Sequence, residues 1–120
     1  MIISGKVTLK VANLNDSIHF YIFILGLTLK DRKGNVSASI VSGNLKLFLE
    51  QQFYRGPDKK PNSSGASLGL AVSHLDPVLL KLSGSNIPVK MHETEDGRMF
   101  TFLDPDHNKI FVREIGQKIV

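Results

Sequence analysis

The chain repeats itself, and that repeat limits what it can fold into. Residues 6–27, KVTLKVANLNDSIHFYIFILGL, read as a strand, a turn and a helix. Val7, Leu9 and Val11 alternate with Thr8 and Lys10, the period of a strand with one buried face. Asn15 stands where a helix cap is wanted, and Asp16 puts an acid in the first turn. Ile18, Tyr21, Ile22 and Leu25 make one apolar stripe, and Gly26 suits the helix end. The same figure returns 61 residues later as SLGLAVSHLDPVLLKLSG. Leu68, Leu70 and Val72 repeat Val7, Leu9 and Val11; Asp76 stands where Asn15 stands, and Pro77 suits the first helical position. The ends of the halves match at an offset of 64, GNLKLFLE (43–50) against HNKIFVRE (107–114). Two copies of one unit follow.

Taken in order, strand one covers about 6–12 and helix one about 16–25. Strands at 27–31, 36–41 and 45–50 are separated by turns at Lys33-Gly34-Asn35 and Ser42-Gly43-Asn44. The second copy has a strand from Ser67, a helix over 77–83, a short strand through Met91, an acidic turn over 93–97, and strands at 99–103 and 109–114. Asp104-Pro-Asp-His-Asn108 is a strong turn between the last two. The order β-α-β-β-β, twice, predicts an α+β fold. Its two βαβββ modules form a cupped, mixed but mostly antiparallel sheet with helices on the outer face. The 120 residues make one domain of two modules, about 1–52 and 66–120. Residues 53–65, FYRGPDKKPNSSG, link them; Phe53 and Tyr54 supply aromatic material that can cover a pocket.

Composition removes several classes of function. The chain has no cysteine, hence neither disulfides nor thiol chemistry. The formal charge of +4 is modest and scattered, with no basic recognition helix, so no nucleic-acid partner is expected. No stretch reads as a signal peptide or membrane span, which makes a cytoplasmic protein without a membrane partner the expectation. Neither HExxH spacing, nor a phosphate loop, nor a nucleophile elbow is present. Of the four histidines, His19 lies beside the helical stripe and His74 in a capping neighbourhood. His92 and Glu93, with His107 in its turn, are the fallback polar set.

Three stretches, VTLKVANLNDSIHFYIFILGL, SLGLAVSHLD and FLDPDHNKIFVRE, together resemble the vicinal oxygen chelate superfamily. That superfamily includes glyoxalase I, extradiol dioxygenases, and fosfomycin and bleomycin resistance proteins. The resemblance spans nearly the whole chain. In its metal-using members four positions face the inside of a sheet-lined cup and carry histidine or glutamate. Carried onto this chain, they are Lys6, Leu47, Ser67 and Phe111. The usual DPDGN turn is DPDHN, with His107 in the glycine place. None of the four residues is a good ligand for a divalent cation. The resemblance therefore points to the superfamily's metal-free binding members, with no cofactor and a homodimeric assembly.

Alternation assigns the inside of the cup. If Val7, Leu9 and Val11 pack under the helices, Lys6, Thr8 and Lys10 face the concave side, together with Ser67, Gly69 and Ala71. Lys109, Phe111 and Arg113 join them, and Leu45, Leu47 and Leu49 form an apolar wall. The expected function is metal-independent binding or sequestration of a small, partly apolar anion. The candidate site comprises Lys6, Thr8, Lys10, Leu47, Phe53, Tyr54, Ser67, Phe111 and Arg113. The alternatives are a metal-dependent glyoxalase-like lyase, thiol transferase or ring-cleaving dioxygenase, and a structural or interaction protein.

Overall fold

The structure, a computed structural model, describes residues 1–2, 4–53, 66–95 and 97–115. The chain divides into two compact units, Met1–Ser64 and Gly65–Val120. Among the described residues no helix is long and apolar enough to cross a membrane.

The first unit runs β1 (Val7–Val11), α1 (Leu14–His19), a π-helical turn (Phe20–Ile24), β2 (Thr28–Lys33), β3 (Ser37–Ser42) and β4 (Leu45–Gln51). Its sheet order is β1-β4-β3-β2. The β1–β4 pair is parallel and the other two are antiparallel. Leu9, Val11, Ala38, Ile40, Leu47 and Leu49 are buried and share one face. α1 lies over that face at β3 and β4, adding Leu14, Ile18, Phe20 and Tyr21 to the core.

The helix starts earlier than sequence spacing suggests. Asn13, not Asn15, is its cap: the Asn13 side chain accepts the Asp16 backbone N–H at 3.0 Å. Asn13 has the extended backbone that a cap needs, whereas Asn15 is already helical. The Asn15 amide instead accepts a hydrogen bond from Arg32 Nη2 at 2.7 Å. Gln51, at the end of β4, ties the entry down. Its Oε1 accepts the Leu14 N–H at 2.7 Å, and its Nε2 donates to the Ala12 carbonyl at 2.7 Å. The helix ends in a wider turn, where the Leu25 N–H reaches Phe20 O, five residues back. Gly26 then turns the chain at φ +80°, and the Leu27 N–H closes on Tyr21 O at 2.9 Å. The buried stripe is accordingly Leu14, Ser17, Ile18 and Tyr21, while Ile22 and Leu25 are only half-buried.

The second unit repeats the plan with β5 (Ser67–Val72), α2 (Leu75–Gly84), β6 (Lys90–Thr94), β7 (Gly97–Leu103) and β8 (Lys109–Glu114), in sheet order β5-β8-β7-β6. α2 begins two residues before its proline. His74 holds the cap position, so Asp76 is inside the first turn rather than capping it. Leu68, Phe100, Phe102, Ile110 and Val112 are buried on one face, with Leu75 and Leu82 of α2. Glu93 belongs to β6, not to the turn that follows it. The Asp104–Asn108 turn is itself buried at Asp104, Asp106 and Asn108. Asp104 Oδ1 accepts the Asp106 and Asn108 N–H groups at 2.9 and 2.8 Å, and Oδ2 accepts from Asn108 Nδ2 at 2.9 Å. His107 adopts φ +63°.

Candidate functional site

In each unit the helix covers one sheet face and leaves the other open. The ladders decide which residues stand on it. In the first unit Thr8 lies beside Phe48, and Ser39 lies on the other side of Phe48. Paired residues of a ladder point to the same face, so Phe48 belongs to the open side. Lys6 Nζ stands 4.3 Å from the Phe48 ring centroid, within cation–π range. A hollow of about 340 Å³ is lined here by Lys6, Lys30, Asp31, Ser39, Lys46 and Phe48. Lys30 is carried by a bulge in β2 between Leu29 and Asp31. Lys10 is farther along β1, 3.9 Å from Glu50 in an exposed pair. Such pairs contribute at most about 1 kcal/mol.

Leu47 also borders this hollow, but the ladder turns its side chain to the other face. It is 1% exposed and shares the helix-covered face with Leu9 and Leu49. The expected wall of Leu45, Leu47 and Leu49 is therefore corrected by the register: this row turns to the helix side, and Lys46, Phe48 and Glu50 face the opening. The residue corresponding to Phe111 is Phe48, one position on. Phe111 lies between Gly69 and Thr101 as Phe48 lies between Thr8 and Ser39. The strict alternation of L-K-L-F-L carried that signal.

On the second unit's open face, Ser67, Gly69 and Ala71 alternate along β5, and Lys109, Phe111 and Arg113 lie opposite them on β8. A hollow of about 260 Å³ is lined by Gly69, Ala71, Met99, Phe111 and Arg113. Gly69 has open space where a Cβ would stand, which leaves the Phe111 ring approachable. Lys109 Nζ is 5.7 Å from the Phe111 centroid, so both units place a lysine near a phenylalanine on the open face. Thr101 and His92 meet beside it, Oγ1 to Nε2 at 3.4 Å.

The fallback polar set does not converge. His92 pairs with Met99 on the open face, and its neighbour Glu93 alternates to the opposite face, across from Arg98. His107 sits past Leu103, four residues along β7 from Met99, or roughly 13 Å. Phe53 is 68% exposed at the far end of β4 from Lys46, beside a hollow lined by Asn13 and Gln51 rather than Lys6. Tyr54 lies outside the described residues.

Neither open face offers a donor set that suits a divalent metal. Lys6, Phe48, Ser67 and Phe111 offer an ammonium, two rings and one hydroxyl. Among the described residues no three histidine, aspartate or glutamate side chains come together as a metal site.

No family model matches the chain. It is 28% identical over 108 residues to the glutathione transferase FosA of Serratia marcescens, covering 88% of this chain and 76% of that one. It superposes on the glyoxylase/bleomycin resistance protein/dioxygenase domain of Frankia sp. EAN1pec with a TM-score of 0.76 at 21% identity, covering 100% and 96% of the two chains. It superposes on the antibiotic-binding protein TnmS3 of Streptomyces sp. CB03234 with a TM-score of 0.71 at 22% identity, covering 95% and 98%. At such identities the superpositions show the fold.

Proposed function

We propose that this chain, which has the vicinal oxygen chelate fold, binds a small, partly apolar anion without a metal and without chemistry, as a cytoplasmic homodimer. One observation carries the reading. The open faces hold Lys6 with Phe48 in one unit and Ser67 with Phe111 in the other. A cation beside a ring attracts an anionic, flat or apolar ligand and repels a divalent ion. Arg113, in the Phe111 hollow, can pair bidentately with a carboxylate or phosphate. The likeness to an antibiotic-binding protein supports sequestration as the outcome.

The test is a ligand screen by thermal shift, repeated on Lys6→Ala and Arg113→Ala. A bound ligand raises the melting temperature by mass action. Anionic aromatic hits that lose their shift in the two variants, and weaken with salt, support the reading. Hits confined to cations, or binding of anionic aromatic ligands unchanged in both variants, overturn it.

A second reading rests on the transferase relative: a metal-dependent thiol transfer. It requires donors other than those at the family positions. Stoichiometric divalent metal in protein purified without chelator, with turnover of a thiol and an electrophile, would establish it instead.

A further inference from the structure

A separate hollow of about 300 Å³ opens at the other end of the second unit's open face, where Ile87, Pro88 and Val89 lead into β6. Its floor is Thr101 and Leu103 of β7, and Lys90 and Lys109 stand at its sides. The ladders fix this arrangement. Lys90 lies opposite Thr101 on one side of β7, and Lys109 lies opposite Leu103 on the other. Two strand spacings sideways and two residues lengthwise separate the lysines by roughly 12 Å at Cα. Two extended lysine stems of about 6 Å each can therefore reach over the floor from opposite sides toward one anionic group lying between them.

Three features mark the hollow as built for a ligand. Leu103 is 48% exposed, although Phe100, Thr101 and Phe102 before it are buried. Ile87 and Val89, also apolar, wall the same space. No carboxylate lines it, and among the described residues neither Lys90 nor Lys109 takes part in an ion pair. An apolar floor flanked by two unpaired cations is complementary to a molecule with one apolar and one anionic end. The volume lies at the small end of ligand pockets, which excludes an extended peptide or a dinucleotide.

We infer that this hollow is a ligand site for a short aliphatic carboxylate, with its chain on Ile87, Val89 and Leu103 and its carboxylate shared between Lys90 and Lys109. The site differs from the one proposed above in that neither Lys6 nor Arg113 contributes to it, while Lys109, 5.7 Å from the Phe111 centroid, borders both.

Titrating the full chain with octanoate, followed by amide and methyl NMR, tests it. Saturable shifts at Val89, Thr101 and Leu103 are expected. Lys90→Gln with Lys109→Gln should weaken binding by about tenfold or more, since two charge-assisted hydrogen bonds are lost. Uncharged 1-octanol should bind the native chain about tenfold more weakly than octanoate. Both lysines are exposed, so the double variant should keep its spectrum elsewhere. The Lys6→Ala and Arg113→Ala variants should bind octanoate as the native chain does, which separates this site from the one above. Shifts clustered at Phe48 or Arg113 instead, no saturation below about 10 mM, or equal binding by the double lysine variant would overturn the assignment.

Discussion

Lys6 and Phe48 meet across the edge of the first sheet, with the ammonium nitrogen 4.3 Å from the ring centroid. The pair exists because the leucines on either side of Phe48 turn the other way. Leu47 and Leu49 are buried under α1, which leaves the ring between them on the open face. A phenylalanine that fills no core and touches a cation is available for a ligand.

Leu47→Ala and Phe48→Ala should therefore behave oppositely. The first opens a cavity in the core and should cost about 2–5 kcal/mol. The second should cost about 1 kcal/mol and abolish the thermal shift given by anionic aromatic ligands. Urea unfolding of the two variants measures the first difference. Equal destabilisation would place Phe48 in the core and remove it from the site.

The cap assignment is tested one residue type at a time. Asn13→Ala should lower stability by about 1 kcal/mol through the lost bond to the Asp16 N–H. Asn15→Ala should lose only an exposed bond to Arg32, a few tenths of a kcal/mol. A larger loss at Asn15 in a denaturant series would show that the helix begins there.

His107 holds a backbone conformation at φ +63° that costs a non-glycine residue about 1 kcal/mol or more. His107→Gly should be neutral to stabilising by up to about 1 kcal/mol, measured as the unfolding midpoint. It should not alter ligand binding, since His107 lies at the turn away from Phe111. A clear loss of stability would mean that the imidazole holds the turn.

Asp104→Ala should be far more damaging. The side chain receives two backbone N–H groups and the Asn108 amide in a buried turn. Leaving those donors unpaired should cost about 3 kcal/mol or more. If thermal unfolding of this variant matches the native chain, the turn is held by other bonds.

Chelator treatment should change neither the melting temperature nor ligand binding, because Lys6, Phe48, Ser67 and Phe111 form no donor set. A drop of several degrees in EDTA, restored by a single metal, would contradict this.

Much of the fold was legible because period-two alternation and paired turn residues occur twice. Val7, Leu9 and Val11 and their repeat assign the same face in sequence and structure. The site was less legible for a definite reason. Matching GNLKLFLE to HNKIFVRE at an offset of 64 set Leu47 against Phe111, and a slip of one residue in a strand moves a side chain through the sheet. Three alternating leucines were the stronger signal, since a row of that kind belongs under a helix. The cap failed similarly: Asn13 and Asn15 are both good cap residues, and only backbone geometry separates them. Lys30 and Lys90 enter hollows through a bulge and a strand start, which spacing does not report.

Each parallel pair joins the first strand of a unit to its last, β1 to β4 and β5 to β8. The ladders of one sheet therefore draw no strand from the other. During synthesis Gln51 is added before Ser67, so the last strand of the first sheet is made before the first strand of the second. Closure of β1 onto β4 needs the whole intervening stretch, which places the slow search of each half at its final strand. A nascent chain of this design can settle one half before the other competes for its edges.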